Sequence, residues 1–134
     1  MGPADTTTGR LVFDGRCGFC TRCVDWLRLL DRHGRVDVQP YQAAGVPASV
    51  GATVEQCGEA VQWRGHDGVR RSGADAVNAV LSEITGTPLP SLLYRVTGGV
   101  QEWAYRWVAD HRGAFPGTTP HCEAHPQDCA PAIG

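Results

Sequence analysis

Ten consecutive residues constrain this chain more than any others: Leu11-Val12-Phe13-Asp14-Gly15-Arg16-Cys17-Gly18-Phe19-Cys20, running directly into Thr21-Arg22-Cys23-Val24-Asp25-Trp26-Leu27. The apolar run reads as a buried strand, the glycine-containing segment as a turn, and the rest as a helical pattern. Cys17 therefore falls where a helix begins. The first backbone N–H groups of a helix have no partner within it. Together with the positive end of the helix dipole they favour a thiolate over a thiol. Two cysteines three apart on such a turn point to thiol–disulfide chemistry.

Within that motif Cys17 is the candidate nucleophile. Moving a thiol pKa by one unit takes about 1.4 kcal/mol, and a helix N-terminus supplies about 0.3–2 kcal/mol. Arg16 and the N–H groups of Phe19 and Cys20 add to it as thiolate-stabilising neighbours. Cys20, one turn on and more buried, is the candidate resolving thiol. Asp14 carries two readings: a buried carboxylate that accepts the Cys20 proton, or a turn residue bonded to nearby backbone N–H groups. Phe19 is either a lid or substrate contact, or a residue packed at the helix start.

The other cysteines offer a competing chemistry. Cys17, Cys20 and Cys23 form an evenly spaced triplet that resembles an iron–sulfur run, but the fourth Cys and its Pro are missing. Cys23 is expected on the apolar face of the helix, as a small buried hydrophobe. A metal module would use Cys17, Cys20 and Cys23 to hold zinc, iron–sulfur or copper, but no second Cys-x-x-Cys exists to close a tetrahedral site. Near the end, His121-Cys122-x-x-His125-x-x-x-Cys129 has side chains able to bind zinc. The competing reading there is Cys122 docked near the active site as an extra redox thiol. Cys57 carries no pattern, and His33 and His66 read as loop residues.

At 134 residues the chain is expected to form one domain, large enough to bury a core without disulfide staples. Its six cysteines are unevenly spread and do not look like a secreted framework. The net charge of −2 gives no bulk attraction to nucleic acid or to an anionic membrane. All twelve basic residues are Arg, which excludes Lys-based chemistry such as Schiff bases. Met1 to Arg10 is polar and lacks the apolar core of a signal peptide. No apolar run reaches the roughly 18 residues of a membrane span. The expectation is a cytoplasmic protein with no cofactor.

Residues 1–9 read as a disordered leader, and 10–113 as the domain. Arg10 to Phe13 is the first strand and Gly18 to about Arg32 the first helix, with Cys20, Cys23, Val24, Leu27 and Leu30 on one face. Val36 to Gln39 is a second strand, parallel to the first because a helix lies between them. Pro40 to Gly58 is irregular apart from one helical turn at Thr53 to Cys57. Ala60 to Arg64 and Val69 to Arg71 form a hairpin across Gly65-His66-Asp67-Gly68. Ser72 with Asp75 predicts a capping box for a helix ending near Gly86. Leu89 to Val96 is a short helix interrupted by Gly98-Gly99. A second one, Val100 to Arg112, puts Val100, Trp103, Trp107, Val108 and His111 on a stripe expected to face the core. Residues 114–134 read as an extended Pro- and Gly-rich tail. This order is an α/β, thioredoxin-like plan with added C-terminal helices.

The residues now in hand resemble a known group. Asp14-x-x-Cys17-x-x-Cys20 behind a short apolar strand is similar to the signature of the DCC family of predicted thiol-disulfide oxidoreductases, which are mainly bacterial. Gly73-Ala74-Asp75-Ala76 resembles the family's helix start. Tyr105 to Arg112, followed by Phe115-x-Gly117 and Cys122, resembles its C-terminal pattern. Where thioredoxins place a Pro just before the third strand, this chain has Gly58-Glu59. The resemblance implies a redox-active Cys17–Cys20 disulfide, a disulfide-containing small molecule or protein as substrate, and a thiol reductant as electron donor. Two other classes stand beside it: the metal module above, and a catalytically silent thioredoxin-like partner domain.

Overall fold

The computed structural model describes residues 9–115 and 117–129. The expected leader, apart from Gly9, lies outside them. The sheet is built from β1 (Gly9–Phe13), β2 (Val36–Pro40), β3 (Gln62–Arg64) and β4 (Arg70–Ser72) in the order β2-β1-β3-β4. β1 pairs parallel with β2, Leu11 opposite Val38, and antiparallel with β3, Leu11 opposite Trp63; β3 and β4 form the hairpin. The helices are α1 (Gly18–Leu30), α2 (Val46–Ser49), α3 (Val54–Glu59), α4 (Gly73–Thr85), α5 (Leu89–Asp110), and two single turns, α6 (His121–Ala124) and α7 (Pro126–Cys129). The β-α-β unit followed by a hairpin and a helix is a thioredoxin-like fold, as expected.

β1 divides the core because successive strand residues face opposite sides. Val12 packs with Val46, Val50, Ala52 and Cys57 on the side of α2 and α3. Leu11 packs with Trp63, Ala76 and Val80 on the other, where α4 lies and Leu27 of α1 reaches in. Phe13, the last strand residue, meets the ring of His121 edge-on at 5.6 Å. The end of β1 is thus fixed by the C-terminal segment, at the point where the cysteine turn begins.

Three local expectations are corrected and a fourth is shifted by one residue. Ser72 makes no capping bond at the start of α4. Glu102 of α5 reaches the orphan N–H groups of Ala74 and Asp75 instead, at 3.4 and 3.3 Å. The interruption expected at Gly98-Gly99 falls one residue earlier: α5 consists of two helical segments joined across a kink at Thr97, whose backbone is not helical. The stripe of α5 faces solvent, with Val100 70% and Trp103 69% exposed. The face that meets α4 is polar: Tyr105 Oη accepts from the Val61 N–H at 2.9 Å, Gln101 accepts from Asn78 at 2.6 Å, and Ser91 bonds Ser82 at 3.0 Å. Hydrogen bonds to α4 and to Val61, with Glu102 as a cap, thus line the inward face of α5. On α1, Thr21 and Val24 are buried while Cys23 is exposed. Val24 and Leu27 face inward as expected, but Cys23 and Leu30 do not, and Thr21 is buried instead, its hydroxyl bonded to the Cys17 carbonyl.

Candidate active site at the start of α1

The cysteine turn is held by short-range bonds that follow from its sequence. Cys17 N–H donates to the Asp14 carbonyl at 3.2 Å, and the Arg16 N–H donates to Asp14 Oδ1 at 3.0 Å. Cys17 is the N-cap of α1, in extended backbone conformation, and its sulfur accepts from the Cys20 N–H at 3.2 Å. That is the hydrogen bond a capping oxygen would normally accept, here made by a thiol. Thr21 closes the turn from behind, its hydroxyl donating to the Cys17 carbonyl at 2.9 Å.

Two side chains from far along the chain complete the site. Gln42, after β2, accepts from the Gly15 N–H at 3.0 Å and donates to Asp14 Oδ1 at 2.8 Å. Arg112, in the turn that ends α5, lies between the two acidic partners: Nη1 is 3.5 Å from Cys20 Sγ and Nη2 donates to Asp14 Oδ2 at 3.1 Å. Burial works against its charge, but the Cys20 and Cys17 sulfurs and the Asp14 carboxylate outweigh it and raise its pKa. Both Asp14 oxygens are thus engaged, by one guanidinium, one amide side chain and one backbone N–H. Neither Gln42 nor Arg112 was singled out from sequence. Arg112 stood in the C-terminal pattern, at its end; nothing marked Gln42.

Cys20 is held as a thiol, its pKa pushed up to about 12. Burial is the largest cause, followed by its hydrogen bond to Cys17 and the charge on Cys17; Arg112 pulls the other way. Cys17 faces an open cleft of about 570 Å³ that Asp14, Arg16, Phe19, Arg112 and Phe115 also line. Phe19 packs on Phe115, ring centres 5.3 Å apart, and Phe115 meets Trp107 at 6.0 Å. One wall of the cleft is therefore aromatic and the other carries the guanidinium.

The remaining cysteines are placed elsewhere. Cys57 is buried in the α3 side of the core. Cys122 and Cys129 form a disulfide, a bridge in a chain large enough to fold without one, and neither sulfur is a zinc-binding thiolate while it stands. Among the described residues no three His, Cys, Asp or Glu side chains converge to hold a metal ion. No described helix is long and apolar enough to cross a membrane.

No curated protein and no solved structure matches the chain. A family model described as DCC1-like thiol-disulfide oxidoreductase does, over residues 11–118, from β1 through α5 and into the segment that lines the cleft. With its dithiol at a helix start and most of its length matched, the chain belongs to the DCC1-like thiol-disulfide oxidoreductase family.

Proposed function

We propose that the protein catalyses thiol–disulfide exchange, with Cys17 as nucleophile and Cys20 as resolving thiol. The observation that supports this most is the unequal setting of the two sulfurs. Cys17 lies at the mouth of the cleft and accepts a backbone N–H, while Cys20 is held as a thiol beneath Arg112. The Cys17 thiolate attacks a substrate disulfide, forms a mixed disulfide and expels one substrate thiolate. Capping Cys17 in this way removes both of its contributions to the raised Cys20 pKa, its hydrogen bond and its charge. Burial and Arg112 remain, and Arg112 favours the thiolate. Cys20 then gives up its proton to the departing thiolate or to water, attacks Cys17 Sγ and releases the second substrate thiolate. The two residues end as a disulfide, which a thiol reductant returns to the dithiol.

Asp14 serves in this reading as a positioning residue. Its oxygens are occupied by Arg112, Gln42 and the Arg16 N–H, so it aims the guanidinium at Cys20 and does not itself receive the proton. Arg16 and Phe19 flank the entering substrate, a disulfide-containing small molecule or protein.

The test is a trap. Cys20→Ser incubated with glutathione disulfide should accumulate a reductant-sensitive adduct on Cys17, identified by peptide mass mapping, and Cys17→Ser should lose exchange. An adduct on another cysteine, or unimpaired exchange in Cys17→Ser, overturns the assignment.

A further inference from the structure

We propose that Cys122–Cys129 is a second redox centre, which exchanges an electron pair with Cys17 and Cys20. The proposal rests on the reading of Cys17 as nucleophile. The disulfide lies beyond residue 118, where the family match ends.

Three glycines carry the geometric argument. Gly15, Gly18 and Gly117 are not among the residues with positive φ, so their backbone conformations do not call for glycine. The space around them does. A Cβ on Gly15 would lie 2.7 Å from Cys122 Sγ, one on Gly18 2.5 Å from the Thr118 carbonyl oxygen, and one on Gly117 2.5 Å from the backbone of Gly18 and Phe19. Both glycines beside the Cys17 turn are therefore sites where the C-terminal segment comes closer than a side chain would permit.

Backbone bonds hold that approach on either side of Cys17. Thr118 N–H donates to the Gly18 carbonyl at 3.2 Å, and Cys122 N–H to the Gly15 carbonyl at 2.8 Å. His121 N–H donates to Thr21 Oγ1, the hydroxyl that bonds the Cys17 carbonyl. The segment 118–122 runs past residues 18 to 15 and sets Cys122 against the residue two before the nucleophile. Cys122 is half-buried whereas Cys129 is 7% exposed. An incoming thiolate thus meets Cys122, and Cys129 is the leaving sulfur.

The exchange balances with no outside oxidant. The Cys17 thiolate attacks Cys122 Sγ; a Cys17–Cys122 bond forms, the Cys122–Cys129 bond breaks, and Cys129 leaves with the electron pair and takes up a proton. Cys20 loses its proton and attacks Cys17 Sγ, forming Cys17–Cys20 and releasing Cys122 as a thiolate. Two electrons have passed from the first pair to the second. Run in reverse, reduced Cys122 and Cys129 restore the Cys17/Cys20 dithiol after a substrate has oxidised it.

The experiment uses the intact chain. Fully reduced protein receives one equivalent of glutathione disulfide, and aliquots are acid-quenched, alkylated and mapped by mass. The Cys122–Cys129 bond should appear after the Cys17–Cys20 bond, and form ~10-fold or more slowly in Cys17→Ser, where direct oxidation by glutathione is the remaining route. In Cys20→Ser/Cys129→Ser, a Cys17–Cys122 bond should accumulate. Formation of Cys122–Cys129 at the same rate in Cys17→Ser overturns the relay, as does a double variant that holds glutathione on Cys17 and never passes it to Cys122. Those two results leave Cys17 as nucleophile untouched. Absence of any glutathione adduct on Cys17 would instead remove the reading on which the relay depends.

Discussion

Arg112 is the residue on which both acids of the site converge, and its loss has a direction that the geometry fixes. It lowers the Cys20 pKa through its charge and its hydrogen bond, against burial and Cys17, which raise it. Arg112→Gln should therefore slow resolution more than attack: each unit by which Cys20 rises cuts its thiolate about tenfold at neutral pH. Rapid-mixing measurements with a chromogenic disulfide should show a longer-lived adduct on Cys17, and an unchanged lifetime would dismiss this role. Cys20 also couples the reduced fold to pH. Its thiol is raised from 9.0 to about 12 in the folded protein, so the fold retains a proton that the unfolded chain gives up. The stability this brings is present in full below the unfolded value and is lost as pH climbs from there through the folded one. Reduced wild-type protein should accordingly lose more denaturant resistance than Cys20→Ser as pH rises past 9.0, the unperturbed value. Parallel curves for the two proteins would count against it. Cys17, Cys20 and Asp14 were legible in the sequence because they stand together within one short turn. Arg112 was not, since it meets Cys20 from 92 positions away, and an Arg at a helix end has many other uses.

At the scale of elements, β1 and α4 follow their patterns and α5 does not. Apolar spacing reports which face of a helix is greasy, and the usual inference is that this face is buried. In α5 the inward face instead consists of Tyr105, Gln101, Glu102 and Ser91, each with a partner on α4, or on Val61 just before β3. The same long-range bonding explains why the predicted capping box failed, since Glu102 supplied what Ser72 did not. The two helices give opposite expectations for substitution. Val80 of α4 is fully buried, and Val80→Ala should cost about 2 kcal/mol from lost transfer energy and the cavity left behind. Trp103→Glu, at a site 69% exposed, should stay within about 0.5 kcal/mol of wild type. Urea titrations of the two variants distinguish this rotation of α5 from one with its stripe inward, for which Trp103→Glu would be the more damaging change.

Across the whole molecule the C-terminal segment joins parts that are far apart in the chain: it packs His121 on Phe13, bonds Thr21, and lies against the cysteine turn. Its Pro- and Gly-rich composition conceals this, because such a composition signals only that no long helix or strand forms. Of the glycines that admit it, Gly15 reads in sequence as an ordinary turn residue and Gly18 as the first residue of a helix. Gly15→Ala separates the two meanings of that glycine. If it served the turn alone, Ala would be accepted, since its φ lies outside the positive range. With Cys122 Sγ and Pro40 Cβ at 2.7 and 2.8 Å from the new Cβ, the crowding should instead be relieved on the side that can move. Pro40 ends β2 in the sheet, whereas Cys122 belongs to a segment held by a few hydrogen bonds. Overpacking of this kind costs about 1–3 kcal/mol, and here it should fall on docking of residues 117–129 while the sheet stays intact. Amide hydrogen exchange should show Cys122, bonded to Gly15, losing protection, while amides of β1 and β3 exchange as in wild type. Equal loss of protection in β1 would mean that the segment is part of the core and not a separate layer laid over the redox turn.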